Sequence, residues 1–379
     1  MPLMSNTTIL ANNSNETALD QQNLPCVFVA STAEKIATLL AYCFILLGSF
    51  FGNTFIIIIV YKCRHLRKTI NYFIVNMAVS DLVYPVVVIP VQIIALSTDS
   101  WNWRVSGILG SIFCKLVYFS REASYLVSSQ SLVWIAIDRF VAVVFPIKLG
   151  LISSKMRTIA IVSTWIFAAA LNSPTLITEG LTVHGNNTFC DTVNTQSIFI
   201  SQEAFVAYFW LQFAFFFIAP LSLITVLYTA TAVALKRQSK ALENACTAVQ
   251  RHSFKKRKQA IAMVVVTVVL FYICVTPYAL FSLAPYWKPS CAFQKIDIFL
   301  ANILIYASST VSPIICLSFV GSYRRGLRNI LCPCSGIRSN KMAKREQVTL
   351  REIKNRPEEN YGRTSKDTAN YEETLDTVL

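Results

Sequence analysis

Seven stretches of nearly unbroken apolar sequence, at about 36–61, 71–97, 110–144, 157–178, 204–235, 259–284 and 296–320, dominate this chain. Each is close to or above the roughly 20 residues that a helix needs to cross ~30 Å of hydrocarbon. Hydrocarbon offers no partner to a backbone N–H or C=O, so spanning segments of this length must be helices. The 379 residues are 54% apolar and 14% charged, and the charge is crowded into loops and a tail, a distribution foreign to a soluble domain of this size. The fold class is therefore an all-α, polytopic membrane protein, whose odd number of spans puts the two termini on opposite sides.

Lys and Arg give the orientation, because cytosolic loops retain them. Segments 61–70, 145–157, 236–258 and 321–330 hold 4, 3, 8 and 3 such residues, against 4 in total over 1–35, 98–113, 178–203 and 285–297. The N-terminus is thus expected outside, in a plasma-membrane protein. The four Asn-x-Ser/Thr sequons, at Asn6, Asn12, Asn15 and Asn186, all fall in outer segments and are candidates for glycosylation. The net charge of +14 then reflects the inner loops rather than nucleic-acid binding. Residues 1–34 lack the basic start and apolar core of a cleaved signal, so the first helix is expected to serve as an uncleaved insertion signal.

The third span is the most informative. It carries Cys114 near its outer end and Asp138-Arg139-Phe140 near its inner end. Arg139 lies 25 residues after Cys114, roughly 37 Å at helical rise, so the two sites face different compartments. A paired Cys needs an oxidising space, and an Asp-Arg pair at the other mouth can form a local lock. Asp81, halfway through the second span, is a costly carboxylate at membrane depth and a functional-site candidate by default.

This helix resembles the third helix of rhodopsin-like (class A) G-protein-coupled receptors, and other stretches agree. Gly52-Asn53, Asn76-Met77-Ala78-Val79-Ser80-Asp81, Trp165, Pro220 with Tyr228, Phe271-x-x-Cys274-Val275-Thr276-Pro277 and Ser312-Pro313 all sit in family register. The resemblance implies a seven-transmembrane helix bundle with a short amphipathic eighth helix. Its parts would be an outer glycosylated N-terminus (1–35), a receptor domain (36–320), a juxtamembrane helix (321–334) and a disordered cytoplasmic tail (335–379). It pairs Cys114 with Cys190. Cys26 and Cys291 then form an even remainder, read as a second outer bridge against two free thiols. Asp138, Arg139, Tyr228, Pro277 and Pro313 become the G-protein switch, with Tyr228 the partner of Arg139 in the active state and Pro277 the hinge of helix six. Asp81 would hold an allosteric sodium ion with Ser128, Ser308 and Ser312, against a merely hydrogen-bonded Asp81. No other cofactor is implied.

Three positions depart from the family: Val275 replaces a Trp, Ser312 an Asn and Cys316 a Tyr. Each removes a group that normally changes partner on activation, which favours, as an alternative, an atypical or scavenging receptor that couples weakly to G proteins.

Alignment to the family places Gln92, Arg121, Glu122, Tyr125, Phe205, Tyr278, Asn302 and Tyr306 around an outer ligand cavity. Arg121 stands where amine receptors carry Asp, which argues against amines and for an anionic group such as a peptide C-terminus, a lipid or another small anion. The competing reading is an internal ion pair; because helix neighbours one apart do not face each other, Glu203 is the expected partner rather than Glu122. Tyr306 occupies the place of a retinal Lys, and no Lys occurs from Ile296 to Val320, which excludes an opsin. The loop at about 178–203 carries Glu179 and Asp191 and suits a hairpin over a basic peptide. The expected ligand is a neuropeptide.

On the inner side, Gly321–Leu331 reads as a basic amphipathic helix on the membrane lipid, followed by Cys332 and Cys334 as palmitoylation candidates. Residues 336–379 hold nine Lys/Arg and eight Asp/Glu and read as disordered. Thr364, Ser365, Thr368, Thr374 and Thr377 are phosphate acceptors for arrestin recruitment, and Thr377-Val378-Leu379 fits a PDZ domain. A transporter or channel would show repeats or paired broken helices, and the sequence has neither. His65, His184 and His252 all lie in loops, so a helix-borne hydrolytic site is missing and no enzyme is expected.

Overall fold

A computed structural model describes residues 31–98, 100, 102–145, 153–185, 187–192, 201–243, 248–281 and 291–331. Apart from single turns at Arg64–Leu66 and Thr175–Thr178, eight helices follow in order among the described residues: α1 Thr32–Lys62, α2 Thr69–Ser97, α3 Gly107–Val144, α4 Ser154–Asn172, α5, α6 Ala248–Phe281, α7 Cys291–Phe319 and α8 Gly321–Leu331. α5 runs through Gln202–Phe213, a π-helical turn at Ala214–Ile218 and Ala219–Glu243. Between α4 and α5 an antiparallel hairpin pairs β1, Glu179–His184, with β2, Asn187–Thr192.

Local sequence accounts for where these elements start and stop. α1 opens on a reciprocal cap, in which the Ser31 N–H donates to Glu34 Oε2 at 2.8 Å and Ser31 Oγ accepts from the Glu34 N–H. α4 ends at Asn172, six residues before the apolar run does, where Pro174 has no N–H to carry the ladder on; Ser173 itself stays right-handed helical, and a separate short turn follows at Thr175–Thr178. α4 is also the shortest of the seven long helices, at 19 residues, with Lys155 and Arg157 in its first turn. Six others contain described stretches long and apolar enough to cross a membrane. α8 follows α7 after a break at Val320 and is strongly amphipathic.

Between the helices, polar groups supply specificity where water is absent. Ser124, Ser128 and Ser131 recur at helical spacing on α3 and face α2. Ser124 Oγ donates to the Ser80 carbonyl at 2.6 Å, Ser128 Oγ to Asp81 Oδ1 at 2.6 Å, and Asn76 Nδ2 to Ser131 Oγ at 2.9 Å. The Asn76 amide also accepts from the Trp165 indole at 2.8 Å, so the lone Trp of α4 is a hydrogen-bond donor as well as packing. α1 and α7 approach closely because position 52 is Gly. A Cβ there would fall 2.7 Å from Pro313 Cβ. That closeness lets Asn53 Nδ2 reach the Ser309 carbonyl at 3.0 Å. α8 is tied back in the same way, with Gly326 against Ile59 and the Tyr323 hydroxyl donating to Asn71 Oδ1 at 3.1 Å.

Candidate ligand cavity and switch

The hairpin is anchored over the outer ends of the helices. A disulfide joins Cys114 of α3 to Cys190 of β2, with Cα atoms 5.7 Å apart. The Tyr118 hydroxyl donates to the Cys190 carbonyl at 3.3 Å, and the Trp103 N–H donates to the Thr188 carbonyl at 2.6 Å. Beneath this roof a cavity opens between α3, α5 and α6, lined among others by Arg121, Glu122, Glu179, Tyr208, Gln212 and Tyr278.

Arg121 is buried, and its partner is Glu122, at 2.7 Å from Nη2 and 3.1 Å from Nε. The expected Glu203 is exposed and forms no ion pair with Arg121. Neighbouring Cβ atoms on a helix do diverge, but the long Arg side chain still reaches the Glu122 carboxylate. It is held there by the ring of Tyr118, one turn earlier, at 5.0 Å, and by that of Tyr278 on α6, at 5.9 Å. Glu122 Oε1 also accepts from the Tyr278 hydroxyl at 3.3 Å, so the pair spans α3 and α6.

Among the other residues aligned to the cavity, Tyr125 lines its floor, whereas Gln92, Asn302 and Tyr306 do not line it. Gln92 is buried, and Tyr306 packs at 5.8 Å from both the Tyr42 and Tyr84 rings, between α1, α2 and α7. The Phe205 side chain lies outside the described residues. Tyr208 and Gln212, a pair at i and i+4 on α5, were not singled out from sequence; their spacing alone is ordinary for a helix face. The Tyr208 hydroxyl donates to the Leu171 carbonyl at 2.8 Å and accepts from Gln212 at 2.7 Å.

The floor explains how a bundle without the usual helix-six Trp stays packed. Val275 is buried there at 2% exposure, too small to fill a Trp volume. The Tyr125 ring belongs to the same buried cluster, stacked on Phe271 at 5.8 Å and 4° and tilted against Phe216. Pro220 has no N–H for the Phe216 carbonyl four residues back. The Tyr125 hydroxyl supplies the donor, at 3.0 Å.

At the inner end Arg139 pairs with Asp138 at 2.8 Å. The Tyr228 hydroxyl is buried without a hydrogen-bond partner among the described residues, leaving it a spare donor on α5. Pro277 and Pro313 interrupt α6 and α7 from within. Midway, Asp81 is 3% exposed and holds the Ser128 bond, while Ser308 and Ser312 are buried on α7. Oxygen-only donors of this kind fit a small hard cation. Asn6, Asn12, Asn15, Asn186, Cys26, Cys332, Cys334 and the tail motifs lie outside the described residues, as does the side chain of Cys291.

Residues 52–315 match the family described as 7 transmembrane receptor (rhodopsin family). The chain belongs to that family. The receptor is 31% identical over 263 residues to a QRFP-like peptide receptor of Branchiostoma floridae, covering 67% of this chain and 66% of that one. It is 27% identical to neuromedin-U receptor 2 of Rattus norvegicus, covering 77% and 74%. It is 28% identical to neuropeptide FF receptor 2 of Mus musculus, covering 89% and 79%. The receptor is thus a multi-pass membrane protein similar to neuropeptide receptors, and such receptors are not enzymes.

Proposed function

We propose that this receptor binds an extracellular peptide in the cavity under the hairpin, with its N-terminus outside the plasma membrane, and activates heterotrimeric G proteins through movement of α6. The observation that carries this reading is the Arg121–Glu122–Tyr278 network, which lines the cavity and joins α3 directly to α6. A ligand that displaces one member changes the contact between the two helices. At the inner end the same α3 carries Asp138–Arg139, and Tyr228 waits on α5 with an uncommitted donor. The test is calcium or cAMP output from transfected cells exposed to a library of amidated neuropeptides. Arg139→Ala is expected to abolish that output while surface expression and labelled-peptide binding persist. Unchanged signalling overturns the role of Arg139, and constitutive ion flux without ligand overturns the receptor reading.

Val275 and Cys316 support a second reading, a receptor that binds peptide but couples weakly. Cys316 is buried among Ile56, Ile59 and Ala78, with no phenol to reach toward Arg139. Peptide uptake without G-protein output distinguishes it. Arrestin recruitment to the phosphorylated tail and a PDZ partner at Leu379 belong to the first reading.

Sodium at Asp81 is a further part of the proposal. Asp81 supplies the charge, and Ser128, Ser308 and Ser312 supply neutral oxygens; bound there, the ion would bridge α2, α3 and α7. Purified receptor is expected to melt at a higher temperature in NaCl than in choline chloride of equal ionic strength, and Asp81→Asn to erase the difference. Equal melting of the wild type in both salts removes the ion from the account.

A further inference from the structure

Among the described residues three charged side chains line the outer cavity, and two of them, Arg121 and Glu122, neutralise each other. Glu179 is the third. It opens β1 and is 3% exposed. Its register partner Thr192 donates to Oε1 at 2.9 Å, while Oε2 is buried without a hydrogen-bond partner among the described residues. A buried carboxylate oxygen with no donor is costly to leave so. Here it sits on the wall of an open cavity, where a donor can arrive from outside. Asp191, the other acidic residue of the hairpin, does not compete for that donor. Its Oδ1 accepts from the Thr192 N–H at 2.8 Å, and it does not line the cavity.

Burial pushes the Glu179 carboxyl above its ordinary range, with the Thr192 bond and the charge of Arg121 acting in the opposite direction. A cation beside it reverses the effect of burial by favouring the ionised form. With Arg121 and Glu122 paired, Glu179 is the remaining acid on the cavity wall among the described residues, and its Oε2 is the open acceptor. Tyr208, Phe209 and Phe213 add aromatic surface on which a planar cation can stack.

We propose that Glu179 selects a cationic side chain of the ligand, its Oε2 accepting a hydrogen bond from a guanidinium or an ammonium group. The expectation drawn from Arg121 alone, an anionic ligand group, is thereby reversed, because Glu122 already answers that charge. This assignment rests on the peptide-receptor reading of the cavity, yet it is separable from it.

The first experiment uses full-length receptor in nanodiscs and two probes of nearly equal shape whose α-amines are blocked, Nα-acetyl-L-argininamide and the neutral Nα-acetyl-L-citrullinamide, each at about 10 mM, roughly ten times a millimolar Kd. The argininamide is expected to raise the melting temperature of the wild type and the citrullinamide to leave it unchanged; Nα-acetyl-L-lysinamide then reports whether ammonium serves as well. Glu179→Gln is expected to lose the argininamide shift, Glu179→Asp to weaken it, and Glu203→Gln, altered at an exposed position on α5, to keep it. Equal shifts from the two amides in the wild type, or a full argininamide shift in Glu179→Gln, overturn the proposal. Should Glu179→Gln not reach the membrane, the wild-type comparison and Glu179→Asp still decide.

The second experiment measures signalling by peptide pairs that differ only in Arg against citrulline. The wild type should prefer Arg by about tenfold or more, as a charge-assisted bond warrants, and Glu179→Gln should bring the ratio near one. Peptides that signal with an unchanged ratio in Glu179→Gln remove the cation site and leave the peptide reading standing. Argininamide bound through Glu179 while no peptide signals does the reverse.

Discussion

Glu122→Ala is expected to destabilise the receptor by about 3–5 kcal/mol, because it leaves the buried Arg121 guanidinium without its carboxylate. Arg121 is 7% exposed, and the aromatic rings of Tyr118 and Tyr278 around it are weak substitutes for an anion. The loss should appear as a lower melting temperature of purified protein and a smaller fraction at the cell surface. The double variant Arg121→Met/Glu122→Leu separates charge from packing. Replacing both ions by apolar groups of similar volume removes two desolvation costs together with the attraction, so its stability should return to within about 1–2 kcal/mol of the wild type. Signalling should not return with it, since the link from α3 to Tyr278 is gone. A double variant as unstable as Glu122→Ala would show that the pair contributes through something other than mutual neutralisation.

Cys190→Ser is expected to cost about 2–5 kcal/mol, the usual range for a native bridge, through the chain freedom regained when 76 residues of separation are no longer closed. The hairpin retains its own six-rung register and the Trp103 and Asn102 bonds to Thr188. It should therefore persist as a hairpin while losing its fixed height over α3. Ligand binding should fall more steeply than helix content, because Glu179 and Thr192 reach the cavity only from a seated hairpin. Radioligand or fluorescent-peptide binding, compared with far-ultraviolet circular dichroism of the same preparation, reads both. Equal losses would mean that the bridge holds the bundle rather than the roof.

How far each of these was foreseeable differs by residue. The Cys114–Cys190 bridge followed from one Cys at the outer end of a span and another in the loop above, once the family register was known. Gly52 and Asn53 were marked by the same register, but the reason for the Gly, the approach of Pro313, belongs to α7 and is 261 positions away in the chain. The partner of Arg121 was misjudged because spacing along a helix describes Cβ directions, and a long side chain is free to disregard them. Tyr125 aligned with the cavity, yet its hydroxyl serves the carbonyl that Pro220 orphans, a pairing that needs α3 and α5 at contact distance.

Hydrophobicity accumulates along the chain, so the spans could be read without knowing any contact. Motif residues in family register likewise marked both ends of α3 and the carboxylate of Asp81 on α2. Which charge neutralises which, and which one is left to meet a ligand, depended on distances across helices and on side-chain conformers. Only the folded bundle settles these among the described residues: it pairs Arg121 with Glu122 and leaves Glu179 Oε2 on the cavity wall without a hydrogen-bond partner.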